Sequence, residues 1–140
     1  RNTAGFTLTE MLIVIALIAM VGTFVTTQVM GRFNRAKVDA TKIQMRQLGA
    51  VLDQFKLDCG AYPGEDQGLQ ALIEKPTAGR ECKNYDPAGY LKQKAAPKDG
   101  WGNEFLYFSN GNTYEIKSLG NDGKEGGEGN DADLSSKEID

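Results

Sequence analysis

The distribution of hydrophobic and polar residues divides the chain into an apolar first segment and a mixed remainder. Between Phe6 and Val29 only Glu10 carries an ionisable side chain. About 24 helical residues rise roughly 36 Å, which is enough to cross the hydrocarbon core of a bilayer. A secretory signal peptide is one alternative, but the run is long and no A-x-A cleavage pattern follows it. A buried helix in a larger protein is another alternative. The pattern favours a membrane-spanning helix.

A second helical pattern follows without a helix breaker. From Asn34 to Asp58 apolar residues recur at the spacing of one helix face, with charged and amide side chains between them. The two segments together predict one long helix. The second half of this helix packs a single apolar stripe against a folded head. Pro63 and Gly64 prevent its continuation. The stripe consists of Val38, Met45, Leu48, Leu52 and Phe55.

The remaining chain predicts short elements. Residues 68–75 resemble a short helix closed by Pro76, and residues 76–100 are rich in Gly, Pro, Lys and Asp, which favours an extended loop. Residues 104–109 and 113–118 are β-prone, and an Asn-Gly pair at the intervening turn is a strong hairpin signal. The sequence therefore predicts an α+β fold, with a long N-terminal helix packed on a small antiparallel sheet.

Composition excludes several functions for this chain. The net charge is −3 and the basic residues are scattered, which argues against nucleic acid as a partner. The chain contains no His, so a Ser-His-Asp hydrolase site and a His-ligated zinc site are excluded. Acidic neighbours such as Glu65 and Asp66 exist, but nothing in the sequence places them in a pocket. We expect no enzymatic activity.

The acidic C-terminal stretch has two interpretations. Its composition is typical of a solvated, disordered end. Its oxygen-bearing side chains and interspersed glycines also suit Ca²⁺, which takes 6 to 8 oxygen ligands. The spacing does not match the EF-hand pattern. We favour a calcium loop of another type, in which three carboxylates stand within a few ångströms of one another. The candidate ligands are Asp122, Asn130, Asp131 and Asp133.

The two cysteines, Cys59 and Cys82, are either a disulfide or two unrelated buried thiols. A head beyond a membrane segment in an oxidising compartment favours the disulfide. Two thiols without His make a poor zinc site.

Several motifs resemble a known family. Residues 5–10, Gly-Phe-Thr-Leu-Thr-Glu before an apolar run, are similar to the processing signal of type IV pilins and pseudopilins. Residues 62–76, 84–92, 97–107 and 118–134 narrow the resemblance to the major pseudopilins of type II secretion systems. These pseudopilins usually have Asp-Pro-Trp where this chain has Asp99-Gly100-Trp101; because Gly also fits a turn, we expect the loop path to survive.

The resemblance implies roles for the N-terminal residues. A prepilin peptidase would cut after Gly5 and methylate the new N-terminal Phe6. Glu10 would pair with the N-terminal amine of a neighbouring subunit, since a carboxylate within a membrane normally finds a partner. The alternative is that Glu10 sits at the headgroup boundary without a partner.

The resemblance also implies a fuller metal site in the C-terminal loop. The backbone oxygens of Leu119 and Lys124 would bind Ca²⁺ together with the carboxylates of Asp122 and Asp133. Asp131 and Asn130 would complete the set.

The implied organisation is that of a pilin-like protein. Residues 1–5 end a prepilin leader, residues 6–30 form the transmembrane and filament-core helix, and residues 31–140 form the periplasmic head. Within the head, residues 31–58 are an amphipathic helix, 59–100 a loop region, 101–119 a β-hairpin and 119–134 the calcium loop. The chain would be a single-pass protein of the bacterial inner membrane.

The implied function is that of a structural subunit. Copies of the chain would polymerise into a helical periplasmic pseudopilus, with minor pseudopilins and the inner-membrane secretion assembly platform as partners. This filament would support export of folded proteins across the outer membrane. Two alternatives remain open: a type IV pilin of a surface fibre for adhesion, motility or DNA uptake, and a monomeric membrane-anchored calcium-binding module.

Overall fold

The computed structural model describes residues 5–139. Its first element is one uninterrupted helix, α1, which runs from Leu8 to Cys59 over 52 residues. The prediction of a single long helix is confirmed, although it begins two residues later than Phe6. Contacts divide the chain after Arg35 into two compact units, so the second unit contains the last part of α1 together with the rest of the chain.

The second unit has its core on one face of α1. The stripe predicted from the sequence is buried there except for Val38, which is half-buried. Thr41 is fully buried on the same face, a position that the apolar pattern alone did not identify. The buried apolar cluster is formed by Met45, Leu48, Leu52, Phe55, Leu69, Ala71, Leu72, Phe105 and Ile116.

A three-stranded antiparallel sheet in the order β1-β2-β3 completes this unit. Strand β1 is Leu106–Ser109, β2 is Tyr114–Ser118 and β3 is Leu134–Ser135. The predicted hairpin is confirmed by the pairing of β1 with β2. The sequence did not predict β3, because two residues are too short to produce an alternating pattern. β3 pairs with the end of β2 and so holds the acidic stretch between two paired strands.

The predicted helix at residues 68–75 is shorter than expected. A 3₁₀ helix covers Leu69–Leu72. The carbonyl oxygen of Leu72 accepts hydrogen bonds from the backbone N–H groups of Tyr90 and Leu91, at 2.7 and 2.8 Å. The following loop therefore uses an acceptor that a longer helix would need. Two more 3₁₀ helices cover Gly129–Asp131 and Ser136–Glu138.

The loop between residues 76 and 100 has no helix or strand in the described chain, as the sequence predicted. Its end lies directly on α1: a Cβ added at Gly100 would collide with the backbone of Lys37. The N–H of Gly100 donates to Thr41 Oγ1 at 2.9 Å, and that hydroxyl donates to the Lys37 carbonyl oxygen at 2.8 Å. Gly100 thus allows the turn to approach the helix backbone closely.

Candidate functional site

The first part of α1 presents large apolar side chains that are exposed. No residue of its most apolar 18-residue window is buried, and the helix is long and apolar enough to cross a membrane. Leu17, for example, is 58% exposed. Burying a side chain of this kind is worth about 1.5–3 kcal/mol relative to leaving it in water. This surface therefore requires lipid or other protein around it.

The N-terminus of α1 is capped by two residues that precede the apolar run. The N–H of Glu10 donates to Thr7 Oγ1 at 3.3 Å, and the N–H of Thr7 donates to Glu10 Oε2 at 3.4 Å. This reciprocal pair is a capping box. We did not predict it from the sequence, although Thr7 with Glu at the third following position is its signature. Glu10 is exposed, as are Gly5 and Phe6, so its carboxylate is open to a further partner.

A buried polar network fixes the start of the acidic loop. Asp99, 6% exposed, accepts backbone hydrogen bonds from Trp101 and Asn103 on Oδ1. Its Oδ2 accepts the hydroxyl of Ser118 at 2.6 Å. Asn103 Nδ2 in turn donates to the carbonyl oxygen of Gly120 at 3.0 Å. These positioning residues were not predicted from the sequence, in which the run Asp-Gly-Trp-Gly-Asn indicated only a turn.

The acidic loop begins at Gly120, where the backbone conformation requires glycine. Its φ is +66°, a conformation that glycine adopts without strain. A Cβ at this position would lie 2.8 Å from the carbonyl oxygen of Ala132. The two ends of the loop therefore pass close to each other, and the N–H of Asn121 donates to the Asn130 carbonyl oxygen at 3.2 Å.

The three loop carboxylates do not come together, contrary to our expectation. Among the described residues no group of three acidic, His or Cys side chains could hold a metal ion. Asp122 Oδ1 accepts the N–H of Lys124, and Asp131 Oδ1 accepts the side-chain amide of Asn121. Asp122 and Asp131 are therefore each engaged in a hydrogen bond within the loop. Leu119 is half-buried and Lys124 is exposed.

Asp133 is the most constrained of these carboxylates. Its Oδ2 accepts the N–H of Gly126 at 3.0 Å and lies 2.9 Å from the ammonium nitrogen of Lys117. These contacts, the Gly126 hydrogen bond first, hold the pKa of Asp133 below its ordinary value. Its other oxygen, Oδ1, is buried and has no hydrogen-bond partner. One hard oxygen ligand in the loop is therefore unused.

Cys59, the last residue of α1, is joined to Cys82 by a disulfide. The bridge closes a segment of sequence separation 23. It ties the end of the helix to a loop that contains no regular element in the described chain. By the chain-entropy model such a bridge stabilises the folded state by about 3 kcal/mol.

Comparisons with known proteins agree on one family. Residues 28–137 match the family described as "Type II secretion system (T2SS), protein G", and residues 1–26 match the prokaryotic N-terminal methylation motif. The chain is 43% identical to the type II secretion system core protein G of Pseudomonas aeruginosa over 136 residues, covering 96% of this chain and 94% of that protein. It is 40% identical to the core protein G of Vibrio cholerae, covering 99% and 94%.

A solved structure leads to the same family. The crystal structure of the major pseudopilin from the type 2 secretion system of enterohaemorrhagic Escherichia coli matches with a TM-score of 0.69 and 32% identity. The match covers 79% of this chain and 91% of that one. With the long capped helix, the three-stranded sheet and the methylation motif, these matches establish that the chain belongs to the protein G family of type II secretion systems.

Proposed function

We propose that many copies of this chain assemble into the periplasmic pseudopilus of a type II secretion system, whose growth supports export of folded proteins across the outer membrane. The observation that carries the proposal is the first part of α1, whose most apolar 18-residue window has no buried residue. Family membership supports the same function. Before assembly this helix spans the bacterial inner membrane once, with the head in the periplasm.

The exposed helix supplies the association energy in this proposal. In the bilayer, lipid covers the apolar side chains between Leu8 and Met30; in the filament, the equivalent helices of other copies cover them. Lipid tails are as apolar as these side chains, so packing between helices, rather than escape from water, drives their association. Minor pseudopilins and the inner-membrane assembly platform are further proposed partners, which the same helix would contact.

The N-terminal motif supplies the register between copies. A prepilin peptidase cuts after Gly5, and the new amine of Phe6, methylated, becomes an ammonium beside the apolar run. Glu10 of a neighbouring copy then neutralises that ammonium. The capping box of Thr7 and Glu10 is compatible with this role, because one carboxylate has acceptor sites for both a backbone N–H and an ammonium.

Two substitutions at Glu10 separate its capping role from its charge. The side-chain oxygen of Gln can also accept the backbone hydrogen bond of a capping box, whereas Ala cannot. We expect Glu10→Gln and Glu10→Ala to reduce filament yield equally, because both remove the charge that pairs with the Phe6 amine. The measurement is filament yield by electron microscopy after overproduction, with membrane levels of the subunit as a control. Wild-type filament yield from Glu10→Gln would show that Glu10 acts only as a helix cap.

We also propose that the acidic loop binds Ca²⁺. The fit rests on the buried Oδ1 of Asp133, an oxygen acceptor without a partner, and on a set of hard oxygen donors. Two of the proposed ligands are backbone carbonyls, which add no negative charge to the loop. The proposed ligands are the carbonyl oxygens of Leu119 and Lys124 and the side chains of Asp122, Asn130, Asp131 and Asp133.

When bound, the ion would supply positive charge that offsets the repulsion among the loop carboxylates. Bringing two of these carboxylates to about 4 Å around an ion would otherwise cost roughly 4 kcal/mol at an effective dielectric constant near 20. A ligand that binds only the folded state stabilises it by about 2.7 kcal/mol at a hundredfold excess over its dissociation constant. We therefore expect chelator to lower the melting temperature by several degrees and to increase proteolysis between Gly120 and Leu134.

Two loop variants test the assignment. Asp133→Ala is expected to melt at the same temperature in calcium and in chelator, and Glu125→Ala, outside the proposed set, is expected to retain the calcium response. The same melting temperature for the wild-type protein in calcium and in chelator would contradict a calcium site.

A further inference from the structure

Lys117 forms an ion pair with Asp133, one of the proposed metal ligands. It lies on β2 opposite Ser135 of β3, and its ammonium nitrogen is 2.9 Å from Asp133 Oδ2. Its side chain is 26% exposed and that of Asp133 is 16% exposed, so the pair is partly shielded from water. The strand pairing that brings β3 to β2 also brings the lysine to the end of the acidic loop.

Other carboxylates of the head also interact electrostatically with Lys117. Besides Asp133, the carboxylates of Glu125 and Glu115 favour its charged form. Glu115 already has a partner, since Lys137 lies 2.7 Å from its Oε2. Lys117 is therefore placed to neutralise negative charge within the acidic loop, the work that a bound cation would also do.

We propose that Lys117 is a built-in counter-ion that competes with Ca²⁺ for Asp133 and so sets the calcium affinity of the loop. The inference rests on the proposed calcium site. A divalent cation bound at Oδ1 of Asp133 is repelled by the ammonium on Oδ2 of the same carboxylate, so Lys117 weakens metal binding and bound metal favours withdrawal of Lys117. When calcium is scarce, the Lys117–Asp133 pair helps to hold β3 against β2.

The competition has a measurable consequence in calcium titrations. Lys117→Met keeps the length and the apolar stem of the side chain but removes the competing charge. We expect it to bind Ca²⁺ on the order of 10-fold more tightly than the wild type, a typical size for coupling between two binding events. The same variant should melt at a lower temperature in chelator, because Asp133 then lacks a counter-ion.

Matched controls are available in the same head. Lys137→Met removes a lysine–carboxylate pair that does not involve the loop, and is expected to leave the calcium dissociation constant unchanged. Lys117→Arg keeps the charge and is expected to bind calcium like the wild type. The titrations use the full chain in detergent micelles, by isothermal calorimetry with calcium chloride.

A labelling experiment on the wild-type chain tests the inference without a substitution. Calcium should release Lys117 from Asp133 and raise its rate of acetylation, measured by mass spectrometry, while the rate at Lys137 stays constant. Two results would overturn the role of Lys117 while the wild-type chain still binds calcium. One is an unchanged rate of Lys117 acetylation on adding calcium. The other is calcium binding by Lys117→Met that is no tighter than that of the wild type. Absence of calcium binding in every variant would contradict both proposals.

Discussion

Both parts of α1 carry large apolar side chains, but the exposure of those side chains differs between the two parts. Leu17, in the first part, is 58% exposed, whereas Leu52, in the second part, is fully buried in the apolar cluster of the head. One helix therefore contributes to two different kinds of stability. The second part stabilises the fold of the single chain, and the first part has apolar surface to contribute to an assembly.

Truncation of one leucine in each part gives the largest expected difference. Leu52→Ala should lower the free energy of unfolding of the head by about 2–5 kcal/mol, because a cavity opens in the packed core. Leu17→Ala should leave that free energy unchanged. Urea denaturation in detergent micelles, followed by Trp101 fluorescence, measures both. A loss of head stability of similar size in Leu17→Ala would show that the first part is also packed against its own chain.

Two threonines with the same local hydrogen bond sharpen the comparison. Thr26 and Thr41 each donate to the carbonyl oxygen four residues earlier, at 2.7 and 2.8 Å. Only Thr41 also accepts a hydrogen bond from Gly100. Thr41→Val should cost about 1–3 kcal/mol of head stability because it leaves a buried N–H unpaired, whereas Thr26→Val should cost nothing measurable. Equal effects of the two substitutions on thermal unfolding would contradict the stabilising role of the Thr41–Gly100 hydrogen bond.

The smallest expected effect is that of acid on one carboxylate of the head, Glu115. Hydrogen bonds from Lys137 and Ser135 hold the pKa of Glu115 below its ordinary value of 4.5. The unfolded chain therefore binds a proton more readily than the folded one, and this contribution is complete above pH 4.5 and is lost as the pH falls through the folded pKa. The melting temperature of Glu115→Gln should lie slightly below that of wild type at pH 7 and converge with it in acid. A constant difference from pH 7 to pH 3 would exclude this linkage.

The sequence predicted those features that depend on periodicity or on short local signals. The 3.6-residue spacing identified the core face of α1, and the Asn-Gly pair identified the β1–β2 turn. It did not predict β3 or the Asp99 network, since both depend on pairings between segments distant in the chain: Lys117 with Ser135, and Asp99 with Ser118.

The acidic loop is a second example of a structure that depends on contacts the sequence did not predict. Composition identified a stretch rich in oxygen ligands, but local hydrogen bonds and the ion pair of Asp133 with Lys117 decided where the carboxylates lie. Lys117 belongs to a strand that the sequence analysis treated only as half of a hairpin. Its relation to the loop became visible when β3 paired with β2.

Photo-crosslinking from the first part of α1 tests the central claim most directly, because it reports what covers that surface. A benzophenone amino acid at Leu17, in cells that assemble the filament, should give a ladder of covalent dimers, trimers and larger multiples of the chain. The same probe in a Glu10→Gln background should give a much weaker ladder. Adducts to lipid alone, from cells with abundant filaments, would contradict the claim that other copies of the chain cover this helix.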